Sequence, residues 1–417
     1  MIGNALTSPP LQHPGNVLDL IEPWLDTDRP AVADPRIELS YRDLDTMSRR
    51  MAAALIDRGV VPGEPVLVHA RLSAWAVVAM LGVLRAGARY VVVDAAFPIH
   101  RQQETVTASR AAIALVEPGL GRLIRVEGAV LPAGGAVLAP DVLAAATRRG
   151  PLAYTRVAGG NRRPVTVPSA ALAYSTTARL AYYTEPVSGF LLCSSISSDS
   201  AVAGIYWTLA CGGLLAIPSD RPTDLAAVGR FAARYRCTHL SMVPSLYAAA
   251  LAGGVAGALE DVSTVVVAGE DCPPELVARH FQAVPSARLF NEYGPTECTV
   301  WSTVHRCVPA DATGPRVPIG RPIPGTSVYL PPGGTGELSI GGPGVADGGV
   351  YRTGDLVSLR NDGLLVRHGR IDRQLNLGGV EAGSASTTAG RTGHRWPVTQ
   401  NRLPPVSANT AESAPSG

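Results

Sequence analysis

YRDLDTMSRRMAAALIDRGVVPGEPVLVHARLSAWAVVAMLGVLRAGARYVVV, residues 41 to 93, switches twice between a helical and an extended hydrophobic pattern. Leu44, Met47, Met51, Ala54 and Leu55 fall at three- and four-residue steps, which predicts an amphipathic helix from Tyr41 that stops at Gly59. Pro62-Gly63 then turns the chain into a strand over 66–69. A second helix is predicted from Trp75 to Leu84, closing at Gly87 before the continuous apolar strand Tyr90 to Val93. Apolar strands alternating with helices of this length predict an α/β fold, a parallel sheet under helical cover. The same grammar returns at 225–243 and 259–268, where TVVVA (264–268) reads as a buried strand. After about Arg321 the strands shorten between prolines and glycines, which predicts a small β-rich sub-domain over 321–372.

At 417 residues the chain is long enough for two or three sub-domains. Residues 1–16 are polar and broken by Pro and Gly, so a disordered tail is expected there and the fold is expected to begin near Val17. Beyond Gly383 large apolar residues almost vanish from a Ser/Thr/Ala/Gly/Arg/Pro-rich stretch, and a second disordered tail is expected.

The formal net charge is +2 and no basic run is interleaved with aromatics, which argues against nucleic acid and against an anionic membrane surface as partners. Small molecules or proteins are the expected ones. The apolar run 201–218 is long enough to raise a membrane span, but Gly212 and Gly213 divide it into a helix-length piece and a short strand. No charged region followed by an apolar core opens the chain, so a cytoplasmic protein is expected. The six cysteines, Cys193, Cys211, Cys237, Cys272, Cys298 and Cys307, lack metal-binding spacing and read as small apolar residues in a reducing compartment. All 36 basic residues are arginine, so no side-chain ammonium is available anywhere to meet a phosphate.

Two segments carry the chemistry: NEYGPTE (291–297), with TVWST just after it, and YRTGDL (351–356). Around them, in a fixed order, stand IELSYRDLD (37–45), LGVLRAGARYVVVDAAFP (81–98), SSDSAVAGIYWTLACGGLLAIP (197–218), VAGE (267–270), GELSIGGPGVADG (336–348) and GRIDRQ (369–374). The set resembles the core motifs of the amino-acid adenylation domains of nonribosomal peptide synthetases, within the adenylate-forming AMP-binding superfamily. The likeness runs from about Val17 to Glu381. It implies the large N-terminal domain of that fold, two α/β sub-domains with mostly parallel sheets plus the β-rich one. It also implies ATP-dependent formation of an aminoacyl-AMP, with ATP/AMP and Mg2+ as cofactors, an amino-acid substrate and a peptidyl carrier protein as partner.

Residue by residue, the resemblance implies that Tyr293 stacks on adenine, Thr296 bonds the α-phosphate and Glu297 faces magnesium. Asp355 takes both ribose hydroxyls, as an ionised carboxylate can. Arg370 approaches the ribose or phosphates, and Asp372 is the hinge of a small C-terminal domain. Asp199 pairs with the substrate's α-ammonium, although as an acid at a helix start it also suits an N-cap. Ser200, Ala203, Ser241, Val266, Ala268, Glu292, Val300 and Trp301 wall the side-chain pocket. A carboxylate at Glu292 either favours a basic or hydroxylated side chain or points to solvent.

Two family features are not found. The phosphate loop, a Ser/Thr/Gly-rich stretch ending in Pro-Lys-Gly after a strand ending in Ala-Tyr, is expected to be deleted at the Tyr174/Ser175 junction, because LAY (172–174) runs straight into STTARLAYYTEP. The lysine of the small C-terminal domain has no counterpart, and that domain is expected to be missing. No catalytic set is then intact, though Thr296 and Glu297 are retained. Impaired catalysis is expected, since losing one transition-state donor costs roughly a hundred- to thousand-fold in rate. Three readings stay open: a slow adenylating enzyme completed by another chain, a nucleotide-binding or scaffold pseudoenzyme, and the product of a decayed gene.

Overall fold

A computed structural model describes residues 5–120, 129–132, 148–157, 163–371, 375–377 and 380–382. The first helix runs Tyr41–Asp57, and a capping box closes its start: Ser40 Oγ accepts from the Asp43 backbone N–H and Asp43 accepts from the Ser40 backbone N–H. Pro65–Ala70 and Arg89–Asp94 follow as parallel neighbours, with helix Ala74–Arg85 connecting them. Ile113–Val116 and Ala129–Pro132 extend this sheet on one side and Leu152–Arg156 on the other, all parallel. Val165–Pro168 closes the six-stranded sheet as an antiparallel edge.

A nine-stranded sheet holds the middle of the chain. Its parallel centre runs Pro30–Ala33, Leu214–Ala216, Gly189–Leu192, His239–Met242, Thr264–Ala268, Arg288–Tyr293. Glu38–Ser40 at one end and Thr303–Arg306 with Arg321–Pro322 at the other are antiparallel. Successive strand residues face opposite sides, and here both sides are buried. Val266 and Phe290 enter a core that also takes Val66, Val68 and Tyr90 from the six-stranded sheet. Val265, Val267 and Leu289 enter a second core under helices Leu225–Tyr235, Pro244–Ala252 and Pro274–Ala283. Two-sided burial is why these strands read as unbroken apolar runs rather than alternating ones.

The apolar run 201–218 separates as its glycines predict, into helix Asp199–Ala210 and strand Leu214–Ala216. Gly212 sits at φ +68, and a β-carbon there would come within 2.5 Å of the Trp24 ring. Among the described residues, no helix is long and apolar enough to cross a membrane.

The β-rich part is an antiparallel sheet of Ser327–Tyr329, Thr335–Gly341, Val350–Leu359 and Leu365–Arg370, with its own core of Val328, Leu338, Ile340, Val357 and Leu365. A fifth strand, Ala5–Thr7, pairs antiparallel with Ser327–Tyr329. The expectation of disorder over 1–16 is therefore corrected for residues 5–16. Without Ala5–Thr7 the backbone groups of Ser327–Tyr329 would lie unpaired at a sheet edge, Leu6 packs on the small core, and Asn16 is buried. Leu375–Leu377 pairs with Val380–Ala382 as a short hairpin. Asp372, the expected hinge, and the expected tail beyond Gly383 lie outside the described residues.

Candidate active site

The NEYGPTE segment ends strand Arg288–Tyr293 and enters a single 3-10 turn, Thr296–Cys298. Gly294 is required by contact: a β-carbon would fall 2.5 Å from Trp301 Cα and 2.9 Å from the Ser302 nitrogen. Asn291 faces away from any ligand, its Nδ2 donating to Pro318 O at 2.8 Å. After the turn Thr299 and Val300 adopt φ +57 and +79, a region that a β-branched residue enters only under constraint. Three hydrogen bonds supply it. Thr299 Oγ1 donates to Gly344 O at 2.7 Å, Ser175 Oγ to Thr299 O at 2.9 Å and Trp301 Nε1 to Ser175 O at 3.2 Å.

On one side of this turn lie the residues expected at the nucleotide. Tyr293 Oη donates to Asp355 Oδ2 at 2.6 Å, and burial, reinforced by that carboxylate, pushes the phenol's pKa well above its ordinary value. Asp355 is buried and also accepts from Arg367, at 2.9 Å from Nε and 2.8 Å from Nη2. Arg367 in turn reaches Asp271 at 2.6 Å. Arg370 stands opposite Asp355 in the strand register and donates through Nη1 to Thr353 O at 3.0 Å. Glu297 is half-buried, and the Tyr351 phenol is hydrogen-bonded to it. Sequence reading passed over Arg367; its only signal was a position three residues before Arg370 on the strand that pairs with YRTGDL.

On the other side lie the residues expected at the acyl substrate. Thr296 Oγ1 donates to Asp199 Oδ2 at 2.6 Å, and Nη1 of Arg156 contacts both Asp199 Oδ2 and Thr296 Oγ1. Tyr154 Oη approaches Asp199 Oδ1 at 3.5 Å. Asp199 does not cap its helix. Ser198 does so, accepting from the Ala201 backbone N–H at 3.1 Å. Arg156 also lines a cleft with Tyr90, Asp94, Gln102, Tyr154 and Ser197.

Seven of the eight expected wall residues surround one small pocket: Ser200 and Ala203 from helix Asp199–Ala210, Ser241, Val266 and Ala268 from two neighbouring strands, and Glu292 and Val300 from the signature region. Trp301 is buried beside it. Phe190, Trp207 and Arg179 complete the lining and were not read from the sequence. Arg179 corrects the reading of Glu292. Its Nη1 and Nη2 donate to the two carboxylate oxygens at 2.7 and 2.6 Å, the Tyr183 hydroxyl donates to Oε1, and the side chains of Arg179 and Glu292 are 3% and 4% exposed. Glu292 neither points to solvent nor stands free for a basic side chain. The guanidinium lies 4.4 Å from the Trp301 ring centre and 5.4 Å from that of Trp207, favourable cation–π distances.

The expected deletion at Tyr174/Ser175 is also corrected. Residues 169–182 form one continuous helix, Ser169–Tyr182, with LAY (172–174) inside it and Tyr174 Oη bonded to Pro324 O at 2.7 Å. The chain contains LAY three times, at 152–154, 172–174 and 180–182; the last two lie in the helix Ser169–Tyr182, and the copy at 152–154 is the one in a strand, Leu152–Arg156. That strand returns antiparallel as Val165–Pro168, and the connection between them, 157–164, reads VAGGNRRP. A Gly-containing connection ending in Arg-Arg-Pro therefore occupies the position after an Ala-Tyr strand; residues 158–162 of it lie outside the described residues. Strand pairing, which composition does not reveal, decides among the three copies.

Comparisons with known proteins agree with this geometry. A family model described as AMP-binding enzyme matches residues 25–153 and 154–348. Bacitracin synthase 3 of Bacillus licheniformis is 31% identical over an alignment of 389 positions that covers 84% of this chain and 6% of that protein. The chain thus spans a small fraction of the large synthetases it matches. Novobiocin biosynthesis protein H of Streptomyces niveus is 32% identical over 428 residues, covering 88% of this chain and 69% of that protein. A crystal structure of the nonribosomal peptide synthetase FmoA3 in an α-methyl-L-serine-AMP bound form superposes with a TM-score of 0.78 at 25% identity, over 88% of this chain and 46% of that one. The chain belongs to the AMP-binding enzyme family and has the fold of the adenylation domains of nonribosomal peptide synthetases.

Proposed function

We propose that this chain is the large domain of an adenylate-forming activity of nonribosomal peptide biosynthesis: it holds ATP or AMP with magnesium beside a carboxylate substrate and serves a carrier protein. One observation carries the reading. A single segment, 293–296, places Tyr293 on Asp355 and Thr296 on Asp199, so a nucleotide slot and an acyl slot adjoin across three peptide bonds.

In this reading the adenine lies against Tyr293 and the ribose hydroxyls share the Asp355 carboxylate, which Arg367 orients. Thr296 turns its hydroxyl from Asp199 to the α-phosphate. Glu297 with the neighbouring Tyr351 phenol is an all-oxygen set suited to a hard cation, and magnesium bound there would offset charge on the phosphates. Arg370 adds positive charge on the same face. The family's bridging lysine has no counterpart among the 417 residues. Turnover then depends on an ammonium supplied from outside these residues, and the second reading, nucleotide holding without turnover, draws on the same fact.

Calorimetry with AMP and with ATP-Mg2+ tests the slot. Binding should be weakened at least tenfold in Asp355→Ala and partly kept in Asp355→Asn, which preserves the shape beside Arg367. Absence of heat with either nucleotide rejects both readings. Substrate-dependent pyrophosphate exchange, with and without candidate carrier and lysine-bearing partners, separates turnover from holding.

A further inference from the structure

We infer that the acyl slot takes a short, uncharged carboxylic acid that carries no ammonium group, because both acids able to receive an ammonium are already held by arginines. The inference rests on the adenylate-forming reading above and names its substrate class.

The first pair sits where the substrate's α-carbon would lie. Asp199 Oδ2 accepts from Thr296 Oγ1 and is in contact with Arg156, and Tyr154 covers the other oxygen at 3.5 Å. The Arg156 and Asp199 side chains are 23% and 13% exposed, so solvent screens the pair only in part. An α-ammonium arriving here must displace the guanidinium, or share one carboxylate with it and face it as a like charge. A substrate with hydrogen or hydroxyl at that carbon meets neither cost. Arg156 also touches the Thr296 hydroxyl, so its charge stands next to the position read as the α-phosphate's and favours an acyl phosphate over a cation.

The second pair closes the side-chain end. Arg179 and Glu292 satisfy each other through two hydrogen bonds, Tyr183 adds a third to the carboxylate, and two tryptophans hold the guanidinium. Such a planar, bidentate, fully buried pair does not open cheaply for a competing cation. Beside the short side chains of Ser200, Ala203, Ser241 and Ala268, the rings of Phe190 and Trp207 and the Arg179–Glu292 pair itself fill the wall and limit the depth of the cavity. Length and charge in the substrate are both opposed.

The test uses non-hydrolysable acyl-sulfamoyl adenosines, which bind without turnover, with propanoyl, alanyl and ornithyl as the acyl groups. Calorimetry on the full chain should give tighter binding for propanoyl than for alanyl by about tenfold or more, with ornithyl weakest. Arg156→Ala frees Asp199 and should invert the propanoyl and alanyl order, whereas Arg156→Lys, keeping the charge, should retain it. The double variant Arg179→Ala with Glu292→Ala, which leaves no unpaired charge, should admit a 3-phenylpropanoyl group that the unmodified chain rejects. Equal binding of propanoyl and alanyl, or preference for alanyl, in the unmodified chain overturns the inference while leaving the nucleotide reading intact. Failure of AMP and of every analogue to bind removes the nucleotide reading and this inference together.

Discussion

The Thr296 hydroxyl donates to Asp199 at 2.6 Å, which ties the residue read as a phosphate donor to the residue read as a substrate anchor. In the free chain each occupies the other's ligand position. On the proposed reading, nucleotide binding breaks this contact and leaves the Asp199 carboxylate to Arg156.

Thr296→Val should therefore weaken AMP binding by roughly fivefold, the worth of one neutral hydrogen bond of about 1 kcal/mol. The thermal transition should hardly move, because Asp199 keeps its arginine. Unchanged AMP affinity in calorimetry would place the phosphate elsewhere.

Arg179 and Glu292 should behave as a unit in stability. Glu292→Leu alone leaves a buried guanidinium without its counter-charge, and Arg179→Met alone leaves a buried carboxylate; each should cost about 3–5 kcal/mol. The double variant should recover most of that loss, since an apolar pair of similar volume removes both desolvation costs. Additive losses in urea unfolding would show that the two side chains are not coupled.

Gly294→Ala tests the tightness of the signature turn. The new methyl meets backbone at 2.5 Å, not the yielding end of a side chain, and overpacking of this kind costs about 1–3 kcal/mol. Because the turn sets Tyr293 and Thr296 at once, nucleotide affinity should fall with stability. A stable variant with intact AMP binding contradicts the assignment.

His239 gives a pH dependence. It lies on strand His239–Met242 with its ring centre 4.9 Å from that of Trp207, and burial, helped by Arg288, pushes its pKa down to about 4. The unfolded chain takes up a proton near the ordinary value of about 6.5. The stability this site contributes is thus fully present above about pH 6.5 and is lost as pH falls through about 4, on the order of 3 kcal/mol in all. Urea midpoints at about pH 7 and about pH 4.5 should converge in His239→Gln relative to the unmodified chain. An equal drop in both would assign the acid sensitivity to another group.

The elements of the fold were legible wherever burial is two-sided. TVVVA and the strand at 90–93 have no polar face, and only a covered parallel sheet tolerates that. The cavity wall was legible too, because its residues lie at fixed offsets within motifs: Ser200, Ala203, Ser241, Val266, Ala268, Glu292 and Val300 meet around one space. What was not legible is pairing across long sequence distance. Arg156, Arg179 and Arg367 each neutralise a carboxylate far away in the chain, and no local pattern marks an arginine that will do so. The three LAY copies are identical as strings, yet one lies in a strand and two lie in a helix. Ala5–Thr7 is too short for any period to show, and its partner strand lies near the other end of the fold.

That last pairing sets an order of events. Ser8 bonds Pro322 across 314 positions of sequence, so residues made long before their partner strand are among the last to find their place. Loop closure over such a distance waits until the partner strand exists. Both α/β layers can consolidate beforehand around their shared core, leaving the opening segment free as the latest strand to dock. Ala5–Thr7 stays unpaired for most of synthesis, and a bulky group placed just ahead of it would hinder the pairing that closes the edge of the small sheet.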